Sequence, residues 1–93
     1  MKILVTGADG RFGKTLKKIK TERKFIFRSK KQMNILSVKS IRKNLKKFYP
    51  NSILHLAGLS RPMSIHSKDI NKSIDLNIIG TCNLVKEAKK LNI

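Results

Sequence analysis

Cysteine occurs once, at Cys82, which excludes a disulfide framework and suits a reducing interior. No apolar run approaches the roughly 18 residues that cross a bilayer. The N-terminal stretch Ile3-Leu4-Val5 is too short for a signal-peptide core and leads straight into a glycine turn. The chain therefore reads as soluble and cytoplasmic, with no membrane partner. Tryptophan is absent and tyrosine occurs once. Phe25 and Phe27 flank Ile26 in a strand-like run, without the surroundings of a base-stacking platform. Repeats, low-complexity stretches and linkers are missing too, and 93 residues make one domain at most. Acid is the scarcest ingredient: 5 Asp and Glu stand against 22 Lys and Arg, a formal balance of +17.

Such an excess attracts phosphate backbones in principle. The lysines, however, are scattered through every segment: Lys17, Lys18 and Lys20, then Lys30 and Lys31, Lys46 and Lys47, Lys89 and Lys90. Lys, Ile and Asn are over-used together, as in AT-rich coding. Nucleic-acid binding needs its cations gathered on one face, so a solvated surface is the preferred reading and a basic nucleic-acid-binding protein the alternative.

Residues 2–6, Lys-Ile-Leu-Val-Thr, have the composition of a buried parallel strand and end at Gly7. Phe12, Leu16 and Ile19 then recur at helical spacing to about Thr21. Phe25-Ile26-Phe27 is a second strand. Ser37 is placed to cap a helix with the stripe Val38, Ile41, Leu45 and Phe48, and Pro50 follows its end. Ser52 to Leu56 reads as a third strand closed by Ala57-Gly58. Residues 59–68 read as loop, with Arg61-Pro62 discouraging helix. From about Asp69 to Leu91, Ile70, Ile74, Ile78, Cys82, Val85 and Ala88 form the apolar face of a long helix, with Gly80 a mild weakness. Asp69, Asp75 and Glu87 read as solvent-facing or helix-end charges. The order β-α-β-α-β-α implies an α/β fold with a parallel sheet and right-handed crossovers.

The informative stretch is Thr6-Gly7-Ala8-Asp9-Gly10-Arg11-Phe12-Gly13, between the first strand and the first helix. Gly7 permits the sharp turn, Gly10 lets the backbone approach a pyrophosphate, and Gly13 lets the helix pack closely on the sheet. The spacing is G-x-x-G-x-x-G, with Asp9 where the commoner G-x-G-x-x-G has its second glycine. An ordinary strand-to-helix turn is the plain alternative.

Thr-Gly-x-x-Gly-x-x-Gly resembles the cofactor fingerprint of the extended short-chain dehydrogenases/reductases, the NAD-dependent epimerase/dehydratase group acting on nucleotide sugars. Residues 53–58, Ile-Leu-His-Leu-Ala-Gly, are similar to that family's strand segment passing beneath the cofactor. Asn77-Ile78-Ile79-Gly80-Thr81-Cys82-Asn83-Leu84 resembles its N-x-x-G-T-x-N-L helix. Met33-Asn34-Ile35, Ile41 and Pro50-Asn51 are similar to a run in the dTDP-4-dehydrorhamnose reductase branch, with Asn34 and Asn51 in place of its two acids. The resemblance covers essentially all 93 residues. It implies a Rossmann-type sheet, incomplete at about three strands and three helices. It also implies that residues 1–93 are the N-terminal part of an NAD(P)-binding domain. The implied dinucleotide-binding residues are Gly7, Gly10, Arg11, Phe12, Gly13, Arg28, Asn34, Ile35, Leu56, Ala57 and Gly58.

A carboxylate that would read a ribose 2′-hydroxyl is missing after the second strand, where Arg28, Ser29, Lys30 and Lys31 follow Phe27. Cations suit a 2′-phosphate, so NADP is expected over NAD, with Arg28 and Arg11 as its readers. The family's Tyr-x-x-x-Lys acid/base pair is absent: Tyr49 is the one tyrosine, and Ile53 lies four residues on. These residues alone are expected not to transfer hydride. The catalytic half would come from the rest of a longer chain or from a partner, and exposed sheet edges would make the isolated chain marginally stable or self-associating. A non-catalytic nucleotide-binding module is the alternative. His55, His66 and Cys82 lack metal-site spacing, and His55 reads as a packed strand residue. Asn77 is expected to bond the neighbouring loop.

Overall fold

The computed structural model describes residues 1–59 and 64–93. Its sheet has three parallel strands in the order β2-β1-β3: β1 Lys2–Thr6, β2 Lys24–Phe27 and β3 Ser52–His55. Leu4 stands beside Ile26 on one side and Ile53 on the other, and Thr6 stands beside His55. A central parallel strand must be apolar on both faces. Accordingly Leu4, Val5 and Thr6 are wholly buried.

Helix α1, Arg11–Lys17, follows β1, and α2, Val38–Phe48, follows β2. The expected run to Thr21 stops short. The Lys18 and Ile19 amides tighten onto the carbonyls of Thr15 and Leu16, and the Thr21 hydroxyl accepts from Arg23 N at 3.1 Å. That local bond offers the backbone an alternative to helix. Ser37 caps α2 as expected, its hydroxyl accepting from Ser40 N at 3.1 Å.

After β3 come α3, Ile65–Lys68, and α4, Ile70–Ile74. A π-helical turn, Asp75–Ile79, leads into α5, Gly80–Lys90. The loop expected over 59–68 therefore contains a short helix, while Arg61 and Pro62 lie outside the described residues. Asp69 is a helix-end charge as expected, accepting from Lys72 N at 3.0 Å.

The core lies on one face of the sheet, where Leu4 meets Met33, Ile35, Ile41, Leu45, Leu84 and Ala88. This corrects two expectations. Ile70, Ile74, Ile78, Cys82 and Val85 are exposed, and the buried line of the last helix runs through Gly80, Leu84, Glu87 and Ala88. Two apolar lines share this segment, and the π turn breaks the regular 3.6-residue spacing between its two ends. Gly80 is a contact point and no weakness: a Cβ there would lie 2.6 Å from Ile35 Cδ1. On the other face, Phe12 and Ile19 are exposed, and of α1 only Gly13 is fully buried.

Glu87 is the second correction. Its side chain is only 4% exposed and ties α5 to α2, accepting from Lys90 Nζ at 2.8 Å and Arg42 Nε at 2.7 Å. Hydrogen bonds from Lys90 and then Arg42 hold its carboxyl below the ordinary value of 4.5, outweighing burial. Burial likewise pushes His55 below its ordinary 6.5. Both shifts have the same consequence, because the unfolded chain binds more protons than the folded one. Stability is expected to fall on acidification from pH 7, first below about 6.5 through His55 and again below about 4.5 through Glu87. Thermal unfolding across that range checks this; Glu87→Gln removes the second step and leaves the first.

Candidate functional site

The glycine loop, the connection after β2 and the segment after β3 meet at the C-terminal end of β1. Gly7 leaves the strand at φ +63, a conformation that L side chains rarely adopt. The turn closes with Gly10 N donating to the Gly7 carbonyl at 3.1 Å, and the first helical bond is Lys14 N to the Gly10 carbonyl at 2.9 Å. Ala8 N donates to the Arg28 carbonyl at 3.1 Å, pinning the loop to the end of β2.

The three glycines have different surroundings. A Cβ on Gly7 would lie 2.6 Å from Ala57 N, so the loop lies directly on the segment after β3. A Cβ on Gly13 would strike the Ala8 backbone. At Gly10 the one neighbour within reach among the described residues is the Gly7 carbonyl oxygen, at 3.3 Å. Protein packing thus dictates glycine at Gly7 and Gly13; at Gly10 it sets one tight contact, with the Gly7 carbonyl oxygen, and beyond that contact lies space.

That space is two adjoining clefts. One, of about 650 Å³, is lined by Gly7, Gly10, Arg11, Phe12, Gly13, Leu56, Gly58 and others. The second, of about 220 Å³, shares Gly7, Gly10, Leu56 and Gly58 and adds Asp9, Lys30, Asn34, Ile35, Ala57 and Leu76 among its walls. Ten of the eleven predicted site residues therefore come together around the glycine loop.

Arg28 does not join them. Phe27 turns toward α1, with Lys17 Nζ 5.6 Å from its ring centre. The next residue along a strand points to the opposite face, and Arg28 lies over the Phe48 ring of α2 at 4.9 Å. It lines a separate depression with Lys31, Lys39, Lys43 and Lys47. Lys30, named in the sequence only within the run after Phe27 and not among the expected site residues, is the cation of this connection that lines the cleft. Asp9, the acid beside it, pairs with Lys17 at 3.3 Å.

The second cleft's wall is held from behind. Asn44 is buried and donates to the carbonyls of Gln32 at 2.9 Å and Ser40 at 2.8 Å, while Asn83 donates to the Ile35 carbonyl at 3.1 Å. Asn34 Oδ1 accepts from Leu36 N at 3.0 Å, which leaves its amide nitrogen as the group to offer a ligand. Asn51 accepts from Lys2 N at 2.8 Å, so its role is to anchor β1. Asn77 bonds the loop as expected, accepting from Leu59 N at 2.6 Å and donating to the Leu59 carbonyl at 2.8 Å. Tyr49 lies at the end of α2, its hydroxyl donating to the Leu91 carbonyl at 3.3 Å. Among the described residues no group of His, Cys, Asp and Glu is disposed to hold a metal, and no helix is long and apolar enough to cross a membrane.

The family model described as RmlD substrate binding domain matches residues 1–93. A GDP-L-colitose synthase from Yersinia pseudotuberculosis is 35% identical over 95 residues, covering 100% of this chain and 31% of the synthase. Among solved structures, dTDP-4-dehydrorhamnose reductase from Bacillus anthracis in complex with NADP matches with a TM-score of 0.90 at 22% identity, over 98% of this chain and 33% of that one. RMD from Pseudomonas aeruginosa complexed with NADPH matches at 0.82 and 24% identity, over 99% and 32%. At these identities the structural likeness speaks for the fold, a Rossmann-type α/β sheet. The chain spans about a third of the length of the relatives it matches.

Proposed function

Since the chain belongs to the RmlD substrate-binding-domain family, we propose that residues 1–93 are the nicotinamide-dinucleotide-binding part of a nucleotide-sugar reductase or epimerase. The observation that carries this reading is the cleft before Gly10, where a Cβ would meet one close neighbour among the described residues, the Gly7 carbonyl oxygen at 3.3 Å. The loop presents backbone to a ligand there, and the Leu56–Gly58 segment supplies the opposite wall. A pyrophosphate fits this cradle, which has Arg11 on its rim. In this reading Asn34 and Ile35, which line the second cleft, would face the adenine, and the Asn34 amide would donate to it. When bound, the nicotinamide ring supplies or accepts the hydride.

NADP is favoured over NAD. Among the described residues, Arg11 and Lys30 are the cations lining the clefts, and Asp9 is already engaged by Lys17. A 2′-phosphate needs such cations where a 2′-hydroxyl needs an acid. Arg28 would serve only after leaving Phe48. Proton transfer is a separate matter. Tyr49 has no lysine four residues on, so the acid/base pair of the reaction would be supplied by polypeptide outside residues 1–93. The synthase and the dTDP-4-dehydrorhamnose reductase matched above carry nucleotide-linked sugars in their names, and that substrate class is proposed for the whole protein.

Titration with NADPH and NADH, read by nicotinamide fluorescence, tests the reading. Saturable binding is expected for both, tighter for NADPH by about tenfold, the worth of one charge-assisted contact. Lys30→Ala narrows that gap. Absence of saturable binding to either dinucleotide would sink the proposal.

A further inference from the structure

An unbroken line of hydrogen bonds runs from β1 through β3 to the last helix and back to the wall of the clefts. Thr6 Oγ1 accepts from the amides of Leu56 and Ala57, both at 3.1 Å. A hydroxyl has two lone pairs and one proton, so Thr6 has only its proton left to give. Its partner, 2.7 Å away, is His55 Nδ1, which must therefore be the acceptor. The ring proton then sits on Nε2 and donates to Thr81 Oγ1 at 2.9 Å. Thr81 passes its own proton to the Asn77 carbonyl at 3.1 Å, and the Asn77 side chain exchanges two bonds with Leu59. One direction of donation satisfies every member.

We infer that His55 is a positioning residue, held as the neutral Nε2–H tautomer, which fixes the Leu56–Leu59 segment beneath the glycine loop. His55 lines neither cleft; it faces a cavity walled by Asn51, Ser52, Ile53, Thr81 and Leu84 among others, with no other ionisable side chain among the described residues that line it. The opposite tautomer would aim two protons at each other between Nδ1 and Thr6, with no lone pair to receive them. Burial, which disfavours the charged ring, acts in the same sense. Leu56 borders both clefts and Leu59 the larger one, so the network acts on the site through backbone position. The geometry stands without a ligand; only the consequence for dinucleotide affinity rests on the function proposed above.

The test uses the whole chain with ¹⁵N-labelled histidine. Imidazole nitrogen shifts at neutral pH are expected to show His55 protonated on Nε2 alone, a readout independent of any variant's folding. Amide hydrogen exchange then compares His55→Leu with His55→Asn. The leucine variant is expected to lose protection at Leu56, Ala57 and Leu59 by about tenfold, while β1 amides such as Leu4 keep theirs. The side-chain amide introduced by His55→Asn retains an acceptor for Thr6, so that variant keeps Leu56 and Ala57 protected. A proton on Nδ1, unchanged exchange in the leucine variant, or an equal loss at every amide would overturn the inference. If the leucine variant loosens the segment yet keeps wild-type NADPH affinity, the consequence for dinucleotide affinity is overturned while the tautomer and the positioning of the segment stand; failure of the unaltered chain to bind NADPH would instead sink the function proposed above.

Discussion

Gly7→Ala is expected to unfold at urea concentrations where the wild type is still folded. Two costs add. A left-handed conformation costs an L residue roughly 1–2 kcal/mol. The new methyl would sit 2.6 Å from Ala57 N and 2.8 Å from the Leu56 carbonyl carbon, both backbone, so neither neighbour has a rotamer to escape into. Overpacking of that kind costs roughly 1–3 kcal/mol. The sum, about 2–5 kcal/mol, compares with roughly 5–14 kcal/mol for the entire stability of a domain of this size. Urea unfolding followed by circular dichroism checks it. A midpoint within error of wild type would show that the loop does not rest on the β3 segment as described.

Gly10→Leu is expected to do the opposite, leaving the fold intact and abolishing dinucleotide binding. Gly10 has φ −71 and ψ 175, extended values open to any residue, and its Cβ would meet only the Gly7 carbonyl oxygen at 3.3 Å among the described residues. Replacing glycine at a helix N-cap by an apolar residue costs roughly 1 kcal/mol, and the Gly7 oxygen has to give by a few tenths of an ångström. The leucine side chain would occupy the space against which a pyrophosphate must pack, and NADPH affinity is expected to drop at least about 100-fold, equivalent to losing roughly 3 kcal/mol. Retained binding would refute the cradle. Steeply salt-dependent DNA or RNA binding that survives this substitution would instead favour the nucleic-acid reading of the +17 charge. The pair separates what the loop does for the fold from what it does for a ligand.

How much of this was legible beforehand varied with the physics of each element. β1 was readable because a central strand buried on both faces has no polar alternation to confuse the pattern. Ser37 and Asp69 announced their helices because a cap needs an oxygen at one defined position. The glycine loop gathered ten of its eleven predicted residues, since backbone contacts follow from chain path alone. Arg28 stands apart from the clefts for a reason of parity: one step beyond Phe27, it turns away from α1 and onto Phe48. The last helix resisted because it carries two apolar lines, and only tertiary contacts such as Ile35 against Gly80 select between them. Glu87 looked like surface because its partners, Arg42 and Lys90, come from two helices brought together by the fold. The bond network around His55 could not be read at all, because Thr6, His55 and Thr81 are brought together only by strand register and helix docking.

The π-helical turn at Asp75–Ile79 has a consequence for how such a chain tolerates change in length. An α-helix advances about 100° per residue, so removing one residue from regular winding rotates everything beyond it by that angle. A wider π turn holds one surplus residue within itself, and the helices on either side keep their facing. The turn is therefore a slip joint. Losing one of its residues other than Asn77 would let it tighten to ordinary α winding, with Leu84 and Ala88 still in the core they share with Ile41 and Leu45. The same loss inside α5, at Val85 for instance, has no such slack to draw on. It would swing Ala88 about 100° out of that core, and with it Glu87 away from Arg42.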